Sequence, residues 1–272
     1  MDTLQLPALD DYRLISEAQK KEFRSNGHTL TPNLLNPEEA ALYRDVILEA
    51  ATKYNTEKRR LEERDTYGKA FLQIMDLYKM DDKVRKFTLA KRFAKVAAEL
   101  LGVKNVRIYH DQALYKEPGG GITPWHQDQY YWPLDTNNTI TMWMPLIDIS
   151  EEMGMLTFAS GSHLDGFVEN LEISDESEQI LQNYVKSRGF DIVRPKSMKA
   201  GDATWHYGWT LHSAPGNQSK ETTREVMTVI YFADGARVTE PQNKWQENDR
   251  LTHLCGTEVG KLAASKANPL VL

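Results

Sequence analysis

The chain has 272 residues with a formal charge of −6, from 33 basic and 39 acidic side chains, and its basic residues are scattered. That balance gives no footprint for nucleic acid, so none is expected as a partner. A hydrophobic content of 40% with 26% charged residues is that of a globular protein. The single cysteine, Cys255, excludes an intrachain disulfide and points to a reducing compartment. Met1-Asp2-Thr3-Leu4 lacks the basic and apolar regions of a leader, and no apolar run reaches membrane-spanning length. The expectation is a cytoplasmic protein with no membrane partner; oligomeric state is not legible.

In chain order, residues 14–26 read as a short polar helix ended by Gly27. Asn36, Pro37 and Glu39 form a stronger start signal, a capping residue, a first-turn proline and a capping-box acid. Leu42, Tyr43, Val46, Ile47 and Ala50 then recur at helical spacing to about residue 53. The stretch from Thr52 to Tyr67 is highly charged and reads as a solvated face or a lid. Val84, Phe87, Phe93, Val96, Ala97 and Leu100 predict one helix over residues 82–101, stopped at Gly102.

Beyond residue 105 the pattern changes to short β-branched and aromatic runs, at residues 106–109, 113–115, 139–144, 155–158, 203–206 and 226–232. Turn clusters separate them, and one helical insert lies at about 174–188. Helices followed by many short strands predict a mainly β domain with flanking helices, a double-stranded β-helix of the jelly-roll or cupin kind. A single domain over residues 1–272 is expected. Its N-terminal helices would cover about 14–102, the jelly-roll core about 105–235 and a C-terminal segment 236–272.

Within Trp125-His126-Gln127-Asp128-Gln129, residues two apart in extended chain share a side, so His126 and Asp128 aim at one point. An imidazole and a carboxylate are two-thirds of the facial set that holds non-heme iron(II) with positions left open. A third ligand must be another histidine. His28 and His253 lie in polar stretches that read as peripheral, His110 points away from its neighbour Asp111, and His163 follows a Ser-Gly-Ser turn. His206 and His212 remain. They share parity, but six residues of strand span roughly 20 Å, so one iron takes only one of them unless the strand breaks at Gly208. Either also reads as a buried core histidine. His212 is favoured by the turn after it and by Arg224 beyond. A permanently charged arginine can fork onto the far carboxylate of a 2-oxo acid that chelates the iron.

The aromatics around these positions, including Trp125, Tyr130 and Trp205, read as walls of a pocket for a small, largely apolar molecule or as core packing. Only one of Tyr130 and Tyr131 should face a substrate, and His206 could lie farther along the same cavity.

The motifs resemble those of the phytanoyl-CoA dioxygenase family of iron(II)/2-oxoglutarate-dependent oxygenases. The likeness runs through Phe23-Arg24-Ser25-Asn26-Gly27, Asn36-Pro37-Glu38-Glu39, Tyr115-Lys116-Glu117-Pro118-Gly119, His126-Gln127-Asp128, Met142-Trp143-Met144-Pro145-Leu146, Gly161-Ser162-His163, Gly201-Asp202, and His212 with Arg224. The resemblance implies His126, Asp128 and His212 as iron ligands and Arg224 as the partner of 2-oxoglutarate. It puts Trp143 and Gln112 beside that co-substrate. The family's hydroxyl two residues after the last histidine is Ala214 here, with Ser213 adjacent. Halogenating members replace the aspartate by a small residue, so Asp128 implies hydroxylation, or a related oxidation, of a small-molecule substrate such as a secondary metabolite, using Fe(II), 2-oxoglutarate and O2 and releasing succinate and CO2. No basic cradle for the phosphates of coenzyme A is evident. The rival readings are a cupin-type metal enzyme without 2-oxoglutarate and a non-catalytic binding barrel.

Overall fold

The computed structural model describes residues 5–272; Met1-Asp2-Thr3-Leu4, on which the leader reading partly rests, lies outside the described residues. Helix α1 (Glu17–Asn26) starts where the Ser16 hydroxyl accepts from the Gln19 amide at 3.1 Å, and it ends at Gly27 with φ 78°. A Cβ at Gly27 would stand 2.4 Å from His163 Nδ1, so glycine is required for space as well as for the left-handed backbone. Helix α2 (Pro37–Tyr54) carries the expected capping box: Asn36 accepts from the Glu39 amide at 2.9 Å, and Glu39 accepts from that of Asn36 at 3.0 Å. The charged stretch that follows is irregular apart from a 3-10 turn at Leu61–Glu63 before α3 (Thr66–Ala70), and α4 (Leu77–Met80) precedes the next long helical region.

The single helix expected over 82–101 is two, α5 (Asp82–Thr88) and α6 (Lys91–Leu101). The Thr88 hydroxyl donates to Asp111 Oδ2 at 2.6 Å, and Ala90 is extended. The exposed Lys91 stands where the period set by Val84 and Phe87 calls for an apolar residue, so the apolar face restarts at Phe93. Helix α7 (Asp175–Arg188) is the insert, capped by Ser174 and closed by Gly189, and α8 (Lys244–Thr252) is a helix the pattern did not announce. Among the described residues no helix is long and apolar enough to cross a membrane.

The described residues form twelve strands: β1 (His28–Thr31), β2 (Leu72–Met75), β3 (Val106–Lys116), β4 (Thr123–His126), β5 (Thr139–Pro145) and β6 (Ile149–Ser150), then β7 (Thr157–Ala159), β8 (Ile192–Val193), β9 (Ser197–Met198), β10 (Ala203–Tyr207), β11 (His212–Ala214) and β12 (Arg224–Ala233). All their pairings are antiparallel. The large sheet runs β1-β10-β5-β12-β3-β2 and the smaller β4-β11-β7-β8, with β6 and β9 as a separate pair. This is the jelly-roll core with flanking helices.

Strand alternation divides the large sheet into two faces. Ile140, Met142, Met144, Trp205, Met227, Val229 and Tyr231 pack with Tyr43, Ile47, Phe87, Phe93 and Val96 in the main core under the helices. Thr141, Trp143, His206 and Thr228 lie on the opposite face and line a cavity shared with the smaller sheet. One irregularity interrupts β3. Ile230 of β12 pairs with His110 and Tyr231 with Ile108, so Tyr109 is an extra, bulged residue. Tyr109 packs with Ile230 and Phe232 while His110 lines the cavity. The bulge thus turns two consecutive side chains to the inner side.

Candidate metal centre

Strand β4 delivers His126, and after the extended Gln127 a short 3-10 turn opens at Asp128. Antiparallel β11 sets His212 directly across from His126, with ring centroids 4.0 Å apart. The Nε2 atoms of His126 and His212 stand 3.5 and 3.6 Å from Asp128 Oδ1. One ligand atom from each of the three residues lies within 4.8 Å of the others, a spacing that could hold a metal ion.

The ring orientation suits ligation. His126 Nδ1 is 2.7 Å from the Pro124 carbonyl and His212 Nδ1 is 2.9 Å from that of Thr210. A carbonyl only accepts, so each Nδ1 carries the proton and each Nε2 presents a lone pair to the shared point. Asp128 Oδ2 accepts from the Thr141 hydroxyl at 2.8 Å and lies 3.1 Å from His206 Nε2, which leaves Oδ1 for the cluster. Burial alone would raise the Asp128 carboxyl, but the imidazoles of His212, His126 and His206 hold it well below the usual carboxylate range. Burial, reinforced by His126 and His206, keeps His212 far below its ordinary value, so its imidazole is neutral.

Arg224 opens β12 and lines the same cavity. Its side chain is fully buried; one terminal nitrogen donates to the Gly154 carbonyl, while Nε has no partner. No acidic group pairs with it among the described residues, and its guanidinium lies 5.3 Å from the centre of the Trp143 ring. Burial pushes Arg224 down to about 9, and burial together with Arg224 takes the neighbouring Lys116 down to about 6. A buried guanidinium without an anion is costly, and its surroundings suit an anionic ligand. The donor set of two imidazoles and a carboxylate fits iron(II), and the orphaned guanidinium fits a carboxylate.

Gln112 and Trp143 line the cavity with Arg224. Gln112 Oε1 accepts from Gln73 Nε2 at 2.6 Å, and Gln73 Oε1 accepts from the Tyr67 hydroxyl at 2.9 Å. His206 also lines it, but as the hydrogen-bond partner of Asp128. The turn at Gly208 ends β10, and β11 begins in the other sheet, so the His206 and His212 rings meet at 4.3 Å. The strand does break there, so the length of six extended residues does not hold the two rings apart. A Cβ at Gly208 would lie 2.4 Å from Thr139 Oγ1 and 2.6 Å from Gln129 Oε1, which only glycine avoids.

Four residues read as pocket or co-substrate contacts are not brought to this cavity. Trp125 packs against Leu181 and Val185 of α7. Tyr130 gives way to its neighbour Tyr131, whose hydroxyl accepts from the Ile173 amide at 3.0 Å at the cavity wall. Trp205 is on the opposite face of β10 from His206 and belongs to the main core. Ser213 opens on a separate groove with Thr157 and Arg194, and Ala214 is the β11 residue beyond His212 that lines the cavity. His28 is buried rather than peripheral, bonding Ser160 at 2.9 Å and stacking on Phe158. His253 is buried as well and lines the cavity. Thr141 was missed; its parity with Trp143 was the available signal.

The two candidate lids meet at the mouth. Thr66 donates to Asp175 at 3.4 Å, and Asp65, Tyr67, Ile173 and Ser174 line the opening around that contact.

Residues 23–226 match the family described as phytanoyl-CoA dioxygenase (PhyH). A Danio rerio relative, phytanoyl-CoA dioxygenase domain-containing protein 1, is 28% identical over 155 residues, covering 54% of this chain. The match spans 52%, about half, of that relative's own length. A Stutzerimonas stutzeri relative, a probable alpha-ketoglutarate-dependent hypophosphite dioxygenase, is 22% identical over 79% of this chain and 77% of its own. Among solved structures, the alpha-ketoglutarate-dependent carbocyclase SnoK from nogalamycin biosynthesis superposes with a TM-score of 0.78 at 23% identity, covering 95% of this chain and 97% of its own, a likeness of fold.

Proposed function

The chain belongs to the phytanoyl-CoA dioxygenase family, and we propose that it works as an iron(II)- and 2-oxoglutarate-dependent dioxygenase that hydroxylates a small organic molecule and releases succinate and CO2. In this reading His126 and His212 through Nε2, and Asp128 through Oδ1, would hold the iron. Arg224 would hold the far carboxylate of 2-oxoglutarate, with Trp143 and Gln112 beside it. When bound, iron(II) would activate O2 as the oxidant, with the oxidative decarboxylation of 2-oxoglutarate supplying two electrons, so that one oxygen atom would end in succinate and the other on the substrate.

The chain's own residues supply geometry. The Pro124 and Thr210 carbonyls fix both imidazoles in the ligating tautomer. Thr141 and His206 hold Asp128 Oδ2, so the carboxylate presents Oδ1. Leu114, Trp143 and Leu156 line the cavity with apolar surface that limits water around the reacting groups. The wall draws side chains from Asp65 to His253, which supports reading the chain as one oxygenase domain. The observation that carries the proposal is the unpaired, buried Arg224 in the same cavity as the three-residue cluster.

Anaerobic calorimetry separates the proposal from its rivals. Iron(II) is expected to bind and then to tighten the binding of 2-oxoglutarate. Iron binding with no 2-oxoglutarate binding would favour a metal enzyme without that co-substrate, and binding of neither would favour a non-catalytic barrel.

A further inference from the structure

The cavity of about 630 Å³ that contains the metal cluster carries a second polar group, built by the β3 bulge and α8. Trp245, Asn248 and Asp249 share one side of α8 by helical spacing, and all three line the cavity. The Tyr109 hydroxyl, turned inward by the bulge, donates to Asp249 Oδ2 at 3.0 Å, and Oδ1 has no hydrogen-bond partner among the described residues. His110 beside it is 2% exposed, and its Nδ1 is unpartnered. The His110 and His253 rings are 4.5 Å apart, and the Trp245 and Tyr131 rings 6.3 Å. Burial pushes the Asp249 carboxyl up to about 6, against the opposing effects of His253 and the Tyr109 hydroxyl.

Arg224 apart, the fixed charges lining the cavity are acidic. Among the described residues Arg224 is the one lysine or arginine lining it, against Asp65, Asp128, Glu172, Asp175 and Asp249. With iron(II) and 2-oxoglutarate in place, the positive charges of the metal and Arg224 are matched by Asp128 and the two carboxylates of the co-substrate. Of the remaining acids, Glu172 has Lys244 at 3.5 Å, while Asp65, Asp175 and Asp249 make no salt bridge to a lysine or arginine among the described residues. A field of that sign repels the phosphates of an acyl-coenzyme A and attracts a cation. The aromatic faces of Tyr67, Tyr131 and Trp245 along the same wall suit a ring and an adjacent ammonium group.

We propose that Asp249, lining the cavity with His110 and the Trp245 indole, is a subsite for an ammonium group, and that the substrate is a ring-bearing amine. The substrate assignment rests on the oxygenase reading above; the subsite rests on this wall alone.

Tryptamine, N-acetyltryptamine and indole-3-propionate share one ring and differ in charge. They are titrated calorimetrically into the protein loaded anaerobically with iron(II) and 2-oxoglutarate, and into the metal-free protein. Tryptamine is expected to bind at least about tenfold more tightly than either analogue, one such factor being about 1.4 kcal/mol. Asp249→Asn should remove that preference while leaving N-acetyltryptamine unchanged. Asn248→Lys, an exposed change on the same side of α8, should remove it by repulsion without touching the Tyr109 contact. The subsite is overturned if the three probes bind equally, if indole-3-propionate binds best, if tryptamine fails to bind at millimolar concentration, or if both variants keep the preference. A preference for tryptamine in the metal-free protein, with no iron or 2-oxoglutarate binding, would uphold the subsite and overturn the oxygenase reading instead.

Discussion

At the scale of the residue, the two oxygens of Asp128 have different neighbours: Oδ1 faces the two Nε2 atoms, and Oδ2 is held by Thr141 and His206. Outer partners of a metal-binding group orient it, and their loss costs about 10–100-fold in metal affinity. Thr141→Val keeps the shape and removes the donor, so it should weaken iron(II) binding by about that factor, read by competition with a chelator. Unchanged affinity would mean that the Oδ2 contact does not position the ligand. His126 and Asp128 were legible because parity survives across the extended Gln127. Thr141 was not, since a threonine in a buried strand carries no mark of what its hydroxyl meets. The expected place of His206 in the cavity is met, but its contact with Asp128 was not legible, because a strand pattern gives the face of a side chain but not where the chain leaves its sheet.

Single elements decide whether those residues converge. The crossing from β10 to β11 passes through Gly208, whose missing Cβ accommodates Thr139 and Gln129. Gly208→Ala should lower both the melting temperature and iron affinity, because His206 and His212 lie on opposite sides of that turn. A variant with normal iron affinity would show that the turn does not set the cluster. Farther away, Asn36→Ala opens the α2 capping box and should cost about 1 kcal/mol by denaturant titration with no effect on iron binding. That cap was readable because its signal is local, within four residues. The break between α5 and α6 depends on Thr88 reaching Asp111 of β3, a contact 23 residues away in sequence. The β3 bulge has no composition signal at all, and α8 has no buried residue to give it an apolar stripe. Both had to be seen, and both build the wall that carries the proposed ammonium subsite.

Over the whole molecule, one sheet serves two environments, an apolar core under α2, α5 and α6 and a polar cavity opposite. Strand alternation made the fold class readable, because apolar and polar positions sort onto the two faces. The enclosure of an unpaired arginine depends on the complete fold. If that arrangement exists for iron and 2-oxoglutarate, both should stabilise the folded chain. At one hundred times its dissociation constant a ligand adds about 2.7 kcal/mol, or roughly 5–10 °C in melting temperature for a chain of this size. Chelation should reverse the gain, and no shift with both ligands present would count against the site. The most direct test is the visible charge-transfer absorption on adding iron(II) and then 2-oxoglutarate without oxygen. The native protein should develop the band and His126→Ala should not. Arg224→Ala should need about 30-fold more 2-oxoglutarate or beyond, the loss expected on truncating one partner of a buried ion pair, with iron binding retained. No band in the native protein, or an equal one in His126→Ala, would contradict the assignment.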